Sequence, residues 1–194
     1  MLNRLIVPLL AALMVAACSP GSDAPPPLAG ARMGGAFTLT NQDGAKVSDT
    51  AFAGQYRLVY FGYTFCPDVC PVDVARLMKG YGALEAVDQA KAGQLQPIFI
   101  SVDPVRDTPA ALKEFVSAFH PRLIGLTGTE AEIADVAKRY GIYFERDKAN
   151  AQGGYLVNHS NNAILYGPKG EPIAIIPHDG DPEAIATELA RWIK

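Results

Sequence analysis

Two cysteines, Cys66 and Cys70, stand four residues apart in the run Phe61-Gly62-Tyr63-Thr64-Phe65-Cys66-Pro67-Asp68-Val69-Cys70-Pro71. At that spacing one helical turn puts both sulfurs on one face. A helix N-terminus beneath them favours the thiolate over the thiol. Three chemistries use such a pair. A structural disulfide is one, although a bridge closing so short a loop removes little entropy from the unfolded chain. Thiol–disulfide exchange is the second, weakened because the usual exchange motif has two intervening residues and this one has three. The third is a soft-metal site: two thiolates select an ion such as Cu(I), and an added imidazole lets the site hold Cu(II) as well.

The imidazole must come from one of three histidines. His120 adjoins Pro121 at the end of a predicted helix and reads as a surface or capping residue. His178, in Pro177-His178-Asp179-Gly180, precedes the last predicted helix and reads as exposed. His159 lies in Tyr155-Leu156-Val157-Asn158-His159-Ser160, which is predicted as a loop between two strands. A lone histidine is more often structural, but in company with a two-cysteine loop in a thioredoxin-like element order the balance for His159 shifts toward a ligand.

These residues need elements to position them. Residues 57–62 form a continuous apolar, β-rich run, typical of a strand buried on both faces. Residues 72–90 carry helical spacing, and residues 96–102 read as a second buried strand. Thr108-Pro109 pairs a cap residue with a proline at the first helical position, and Asp181-Pro182 does so before the final helix. Gly167-Pro168-Lys169-Gly170 is a hairpin turn leading into a strand at 172–176. Strands alternating with helices, then a hairpin and a closing helix, predict an α/β, thioredoxin-like three-layer fold with a central mixed sheet and an extra hairpin.

Asp68, between the cysteines, is a candidate for partner docking or a weak oxygen contact to Cu(II), against the plain role of a solvated loop charge. Asp103, Arg106 and Asp107 follow the second buried strand, where loops of a doubly wound sheet converge on a site, so Asp103 is also a candidate to support the ligands from behind or to dock a partner. Turn formation and capping are the favoured roles for them. Tyr60, Phe61, Tyr63 and Phe65 are read as core packing around the cysteine loop.

The chain has 194 residues, 49% hydrophobic and 19% charged, which excludes a disordered chain and is enough for one domain. A formal net charge of −3 offers nothing to nucleic acid. Residues 1–17 have a positive start at Arg4, a short apolar run and small residues, the layout of a signal peptide. Val15-Ala16-Ala17-Cys18 resembles a bacterial lipobox, which makes Cys18 the lipidation site and places the protein in the cell envelope, on the periplasm-facing side. Residues 18–33, with Pro25-Pro26-Pro27, are read as a lipid-anchored, proline-rich tether, and residues 34–194 as the thioredoxin-like domain.

From about Gly34 onward the chain resembles the SCO/SenC family of copper-handling proteins. The resemblance rests on the cysteine run, on Ser101-Val102-Asp103-Pro104-Val105-Arg106-Asp107-Thr108-Pro109, and on Tyr155 through Ser160. It implies that Cys66, Cys70 and His159 bind copper. It further implies a metallochaperone, not an enzyme, that delivers copper to the CuA centre of cytochrome c oxidase subunit II. A periplasmic copper chaperone or a thioredoxin-like reductase would be a further partner. The alternative is a thiol–disulfide oxidoreductase with Cys66 and Cys70 as its redox-active pair, reducing the subunit's cysteines or serving redox defence. A peroxidase-like role lacks a matching threonine and cysteine motif. Two residues depart from the family pattern: Asn158 and Gly167 stand where aspartates are usual.

Overall fold

The computed structural model describes residues 24–194. The predicted signal segment 1–17, Cys18 and the first residues of the tether lie outside the described residues. Thr38–Asn41 (β1) and Lys46–Ser48 (β2) form a hairpin closed by Asn41, whose Oδ1 accepts from the Asp43 and Ala45 amides at 3.0 and 2.9 Å. Tyr56–Gly62 (β3) is buried at every position, as its uniform apolar run predicts. The cysteine loop follows, then Val69–Val87 (α1) and the short helix Gln89–Gln94 (α2). The sequence predicts one helix here. The break falls at Asp88, whose side chain accepts from Lys91 N–H at 3.0 Å and so caps α2.

Leu95–Ser101 (β4), Pro109–Ser117 (α3), Ile124–Thr127 (β5) and Glu130–Arg139 (α4) come next. Thr108 caps α3, accepting from Ala111 N–H at 3.3 Å, and Thr129 with Glu132 forms a reciprocal cap on α4. Among the described residues Phe144–Arg146 (β6) pairs only with Val157–His159 (β7), apart from the main sheet. Ala163–Tyr166 (β8), Pro172–Ile176 (β9) and Pro182–Trp192 (α5) complete the chain, with Asp181 capping α5 through a 2.7 Å bond from Ala184 N–H.

The central sheet runs β2-β1-β5-β4-β3-β8-β9. Its middle strands β5, β4 and β3 are parallel, and the flanking pairs are antiparallel. Consecutive residues of β3 show which layers cover it. The Tyr60 hydroxyl bonds Asp73 on α1, whereas the Phe61 ring meets Tyr140 at the end of α4, 5.7 Å between centroids. Phe99, level with Tyr60 on β4, meets Phe115 of α3 at 4.9 Å. Thus α1 and α3 cover one face and α4 the other. α5 packs on α1 at Gly80, where any Cβ would lie 2.3 Å from Ile185 Cγ2. This is the thioredoxin-like arrangement that the element order predicts.

The ordered fold starts before Gly34. The Leu28 amide donates to the Ile173 carbonyl at 3.0 Å, and Leu28 and Met33 pack against the core. No helix among the described residues is long and apolar enough to cross a membrane.

Candidate metal centre

Cys66 lies in the loop between β3 and α1, and Cys70 is the second residue of α1. Cys70 is fully buried, Cys66 is half-buried, and both are free thiols. The Cys70 amide donates to Cys66 Sγ at 3.4 Å. Gly62 makes room for this turn: a Cβ there would sit 3.2 Å from Cys70 Sγ and 2.9 Å from Phe99 Cε2.

His159 ends β7, so it stands on a strand and not in the expected loop. Its Nε2 is 3.2 Å from Cys70 Sγ. Its Nδ1 is 2.9 Å from the Ser160 carbonyl oxygen. A carbonyl only accepts, so Nδ1 carries the proton and the lone pair of Nε2 points at the sulfurs. Both sulfurs and one imidazole nitrogen lie within 4.8 Å of one another.

The two thiols have opposite acid–base behaviour. Burial pushes the Cys70 thiol well above its ordinary range, and the neighbouring charges of Cys66 and Asp73 push the same way. Burial also opposes ionisation of Cys66. It is outweighed there by hydrogen bonds from the Cys70 amide and thiol, the Asp68 amide and Tyr63, which hold Cys66 below the ordinary value. The pair therefore sets a more accessible thiol that ionises more readily beside a buried one that holds its proton.

Aromatic rings wall the site. Tyr63 meets the His159 ring edge-on at 5.9 Å, and Tyr60 does so at 6.3 Å. Tyr60 in turn donates to Asp73 Oδ2 at 3.0 Å. His178 does not stay exposed as expected: its Nε2 lies 3.2 Å from the same oxygen and its ring edges Tyr60 at 6.1 Å. Side chains from β3, α1 and the loop between β9 and α5 thus meet behind Cys70. One clue was available, since Asp73 is a carboxylate on the buried face of α1, one turn after Cys70, and such a group needs a partner. His120 is elsewhere, accepting from the Arg122 amide at 3.1 Å and edging Tyr81 at 4.9 Å.

The Asp103 carbonyl closes the expected turn, accepting from the Arg106 and Asp107 amides at 3.2 and 2.9 Å, but neither acidic side chain after β4 is a helix cap. Asp107 is fully buried and accepts from the Thr64 amide (3.0 Å), the Thr64 hydroxyl (2.7 Å) and the Ser101 hydroxyl (2.6 Å), fastening the start of the cysteine loop. Asp103 is also fully buried, which leaves it no surface for docking; it holds Arg106 and Tyr155 instead. Asp68 is exposed at the head of α1 with no side-chain cap bond. It lines a cavity of about 290 Å³ with Cys66, Val69, Leu156 and His159.

The two departures from the family pattern differ in place. The Asn158 amide donates to Asp147 Oδ1 at 2.8 Å, beside the histidine. Gly167 is in the β8–β9 turn at the Arg57 end of the sheet, away from the cysteines, and the Glu171 carboxylate fills the space where its Cβ would be.

A thioredoxin-like domain carrying two thiols and one oriented imidazole at a single point is a soft-ligand redox or metal protein. The chain matches the SCO1/SenC family model over residues 26–194 and belongs to that family. It is 38% identical over 162 residues to the mitochondrial SCO1 homolog of Homo sapiens, covering 84% of this chain and 53% of that protein. The chain thus spans about half the length of the human relative. The structure of Bradyrhizobium japonicum ScoI with copper bound superposes with a TM-score of 0.75 at 38% identity, covering 82% of this chain and 99% of that one. BsSco matches with a TM-score of 0.62 at 26% identity, over 82% of this chain and 94% of that one. It is described as a member of the Sco family of cytochrome c oxidase assembly proteins, with a disulfide switch.

Proposed function

We propose that this protein binds one copper ion through Cys66, Cys70 and His159 and passes it to the CuA centre of cytochrome c oxidase subunit II. The observation that carries the reading is the set of three soft-ligand atoms within 4.8 Å, with the imidazole tautomer already set for coordination. The copper is cargo: the protein binds and transfers it without turnover. Membership of the SCO1/SenC family and the copper-bound ScoI relative support the same reading. Two thiolates hold Cu(I), and the imidazole extends the site to Cu(II). Asp68, exposed at the rim, is a contact for the receiving protein. Lipid on Cys18 tethers the domain to a membrane of the cell envelope, facing the periplasm.

Titration of the reduced full chain with Cu(I), against a competing chelator, tests this. One tightly held ion per chain is expected, lost in Cys66→Ala and Cys70→Ala. His159→Ala should lose Cu(II) while keeping weaker Cu(I) binding. Transfer is checked by mixing the loaded protein with metal-free subunit II and following the CuA absorption. Tight Cu(I) binding by Cys70→Ala would sink the ligand assignment.

A second reading, thiol–disulfide exchange with a partner's cysteines, is favoured by the contrast between an accessible, acidic Cys66 and a buried, protonated Cys70. Cys66 would attack and Cys70 would resolve the mixed disulfide. Stoichiometric reduction of oxidised subunit II, one partner disulfide reduced for each Cys66–Cys70 disulfide formed, by a protein with negligible copper affinity would establish this reading over the first.

A further inference from the structure

His159 stands on the β6–β7 ribbon, which shares no strand ladder with the central sheet, whereas Cys66 and Cys70 are fixed to β3 and α1. Holding the ribbon over the sulfurs therefore takes contacts of another kind. The Val157 backbone bonds Tyr63 and Arg146 reaches Asp103 Oδ1 at 3.8 Å, but Arg106 is the side chain that touches both the ribbon and the cysteine loop. Its Nη1 donates to the Tyr155 carbonyl at 3.0 Å, and its Nε pairs with Asp103 Oδ2. Its guanidinium carbon lies 3.7 Å from the centroid of the Tyr155 ring, 5.1 Å from that of Phe65 and 5.6 Å from that of Tyr63. The Tyr155 hydroxyl donates to the second Asp103 oxygen at 2.9 Å. Phe65 adjoins Cys66, and Tyr155 precedes His159 by four residues. One planar cation thus touches both sides of the site, seated on a fully buried carboxylate.

We propose that Arg106, seated on Asp103, is a positioning residue of the metal centre: it clamps the histidine ribbon to the cysteine loop and sets whether His159 completes the ligand set. The inference rests on the reading of Cys66, Cys70 and His159 as copper ligands. It makes a selective claim. Cu(I) is held by two thiolates that do not depend on the clamp, while Cu(II) needs the imidazole that does. Lysine cannot replace Arg106, because the contact uses a flat, forked group stacked on a ring.

The test uses reduced full-length protein carrying Arg106→Gln, Arg106→Lys or Tyr155→Phe. Amide hydrogen exchange is read on the metal-free protein, and affinities for Cu(I) and Cu(II) are read together with the thiolate-to-Cu(II) charge-transfer band. Both Arg106 variants should exchange the β7 amides roughly tenfold faster while β3 and β4 stay protected. Their Cu(II) affinity should fall roughly 10- to 100-fold with an altered band, and Cu(I) affinity should fall far less. Tyr155→Phe keeps the ring and loses one bond, so it should shift both readouts the same way by less. Unchanged β7 exchange, wild-type Cu(II) binding despite faster exchange, or equal loss of both oxidation states overturns the clamp. A wild-type protein that binds no copper would instead overturn the ligand reading, and the exchange result would still decide whether Arg106 holds the ribbon.

Discussion

Cys66 and Cys70 hang from β3 and α1, where β3 pairs along its length with β4 and on its other side with β8, whereas His159 ends a three-residue strand paired only with Phe144–Arg146. The cysteine side is held by buried backbone ladders and by Asp107. The histidine side is held by a short ribbon and by side chains such as Arg106 and Tyr155. Ladder hydrogen bonds inside a buried sheet open only with the whole domain, while a small peripheral ribbon can open locally. Under the proposed ligand set, the difference pairs a dithiol fixed to the central sheet and α1 with an imidazole carried on a peripheral ribbon.

The most damaging way to break this contrast is Asp107→Ala. It leaves the Thr64 amide and the Thr64 and Ser101 hydroxyls without their acceptor, at a cost of about 3 kcal/mol or more by denaturant unfolding. A loss below about 1 kcal/mol would mean the cysteine loop is not pinned there. Gly62→Ala should come next, at about 1–3 kcal/mol, because the added methyl must displace Phe99, Tyr60 or the Cys70 sulfur. Cu(I) affinity should fall with it; an unaffected affinity would show that the sulfur has slack.

The thiols can be separated by pH. In the reduced, metal-free protein Cys66 should alkylate with a midpoint below the ordinary thiol value of about 8.5, and Cys70 only well above it. The signs for stability follow. The contribution of Cys66, whose folded value is depressed, is present above the ordinary thiol value and lost as pH falls through its own lowered one. That of Cys70, whose folded value is raised, is complete below the ordinary value and lost as pH rises past it. Equal alkylation rates for the two would erase the asymmetry. The smallest effect is on the histidine side. Asn158→Asp turns a bond to Asp147 into a repulsion at an exposed position, and should cost about 0.5 kcal/mol, relieved by added salt. A rise in melting temperature would show that Asp147 does not support the ribbon.

What could be read from the sequence follows the same division. The buried run of β3, the cysteines four apart and the helix after them are local patterns, and local patterns carry the strand, the loop and α1 directly. Thr108-Pro109 and Asp181-Pro182 likewise announce their caps, because a cap bonds within three residues. The histidine side has no periodic signal. β7 is too short to show alternation, so His159 reads as loop. The burial of His178 depends on Asp73, more than a hundred residues earlier in the chain, and so does not show in its own neighbours. Arg106 looks like a turn residue until Tyr155 is brought onto its plane by the fold. Asp88 hides inside a helical pattern and still ends one helix and starts another.

Where the chain joins the fold decides which way the site looks. Leu28 bonds Ile173 near the start of β9, and the antiparallel pairings of β9 with β8 and of β8 with β3 put that junction level with Arg57. The sulfurs are at the other tip of β3, past Gly62, roughly 20 Å away along the strand. The protein has a stern and a bow. Under the proposed lipid tether the upstream residues take hold at the stern, which leaves Cys66, Cys70 and His159 facing away from the anchored end.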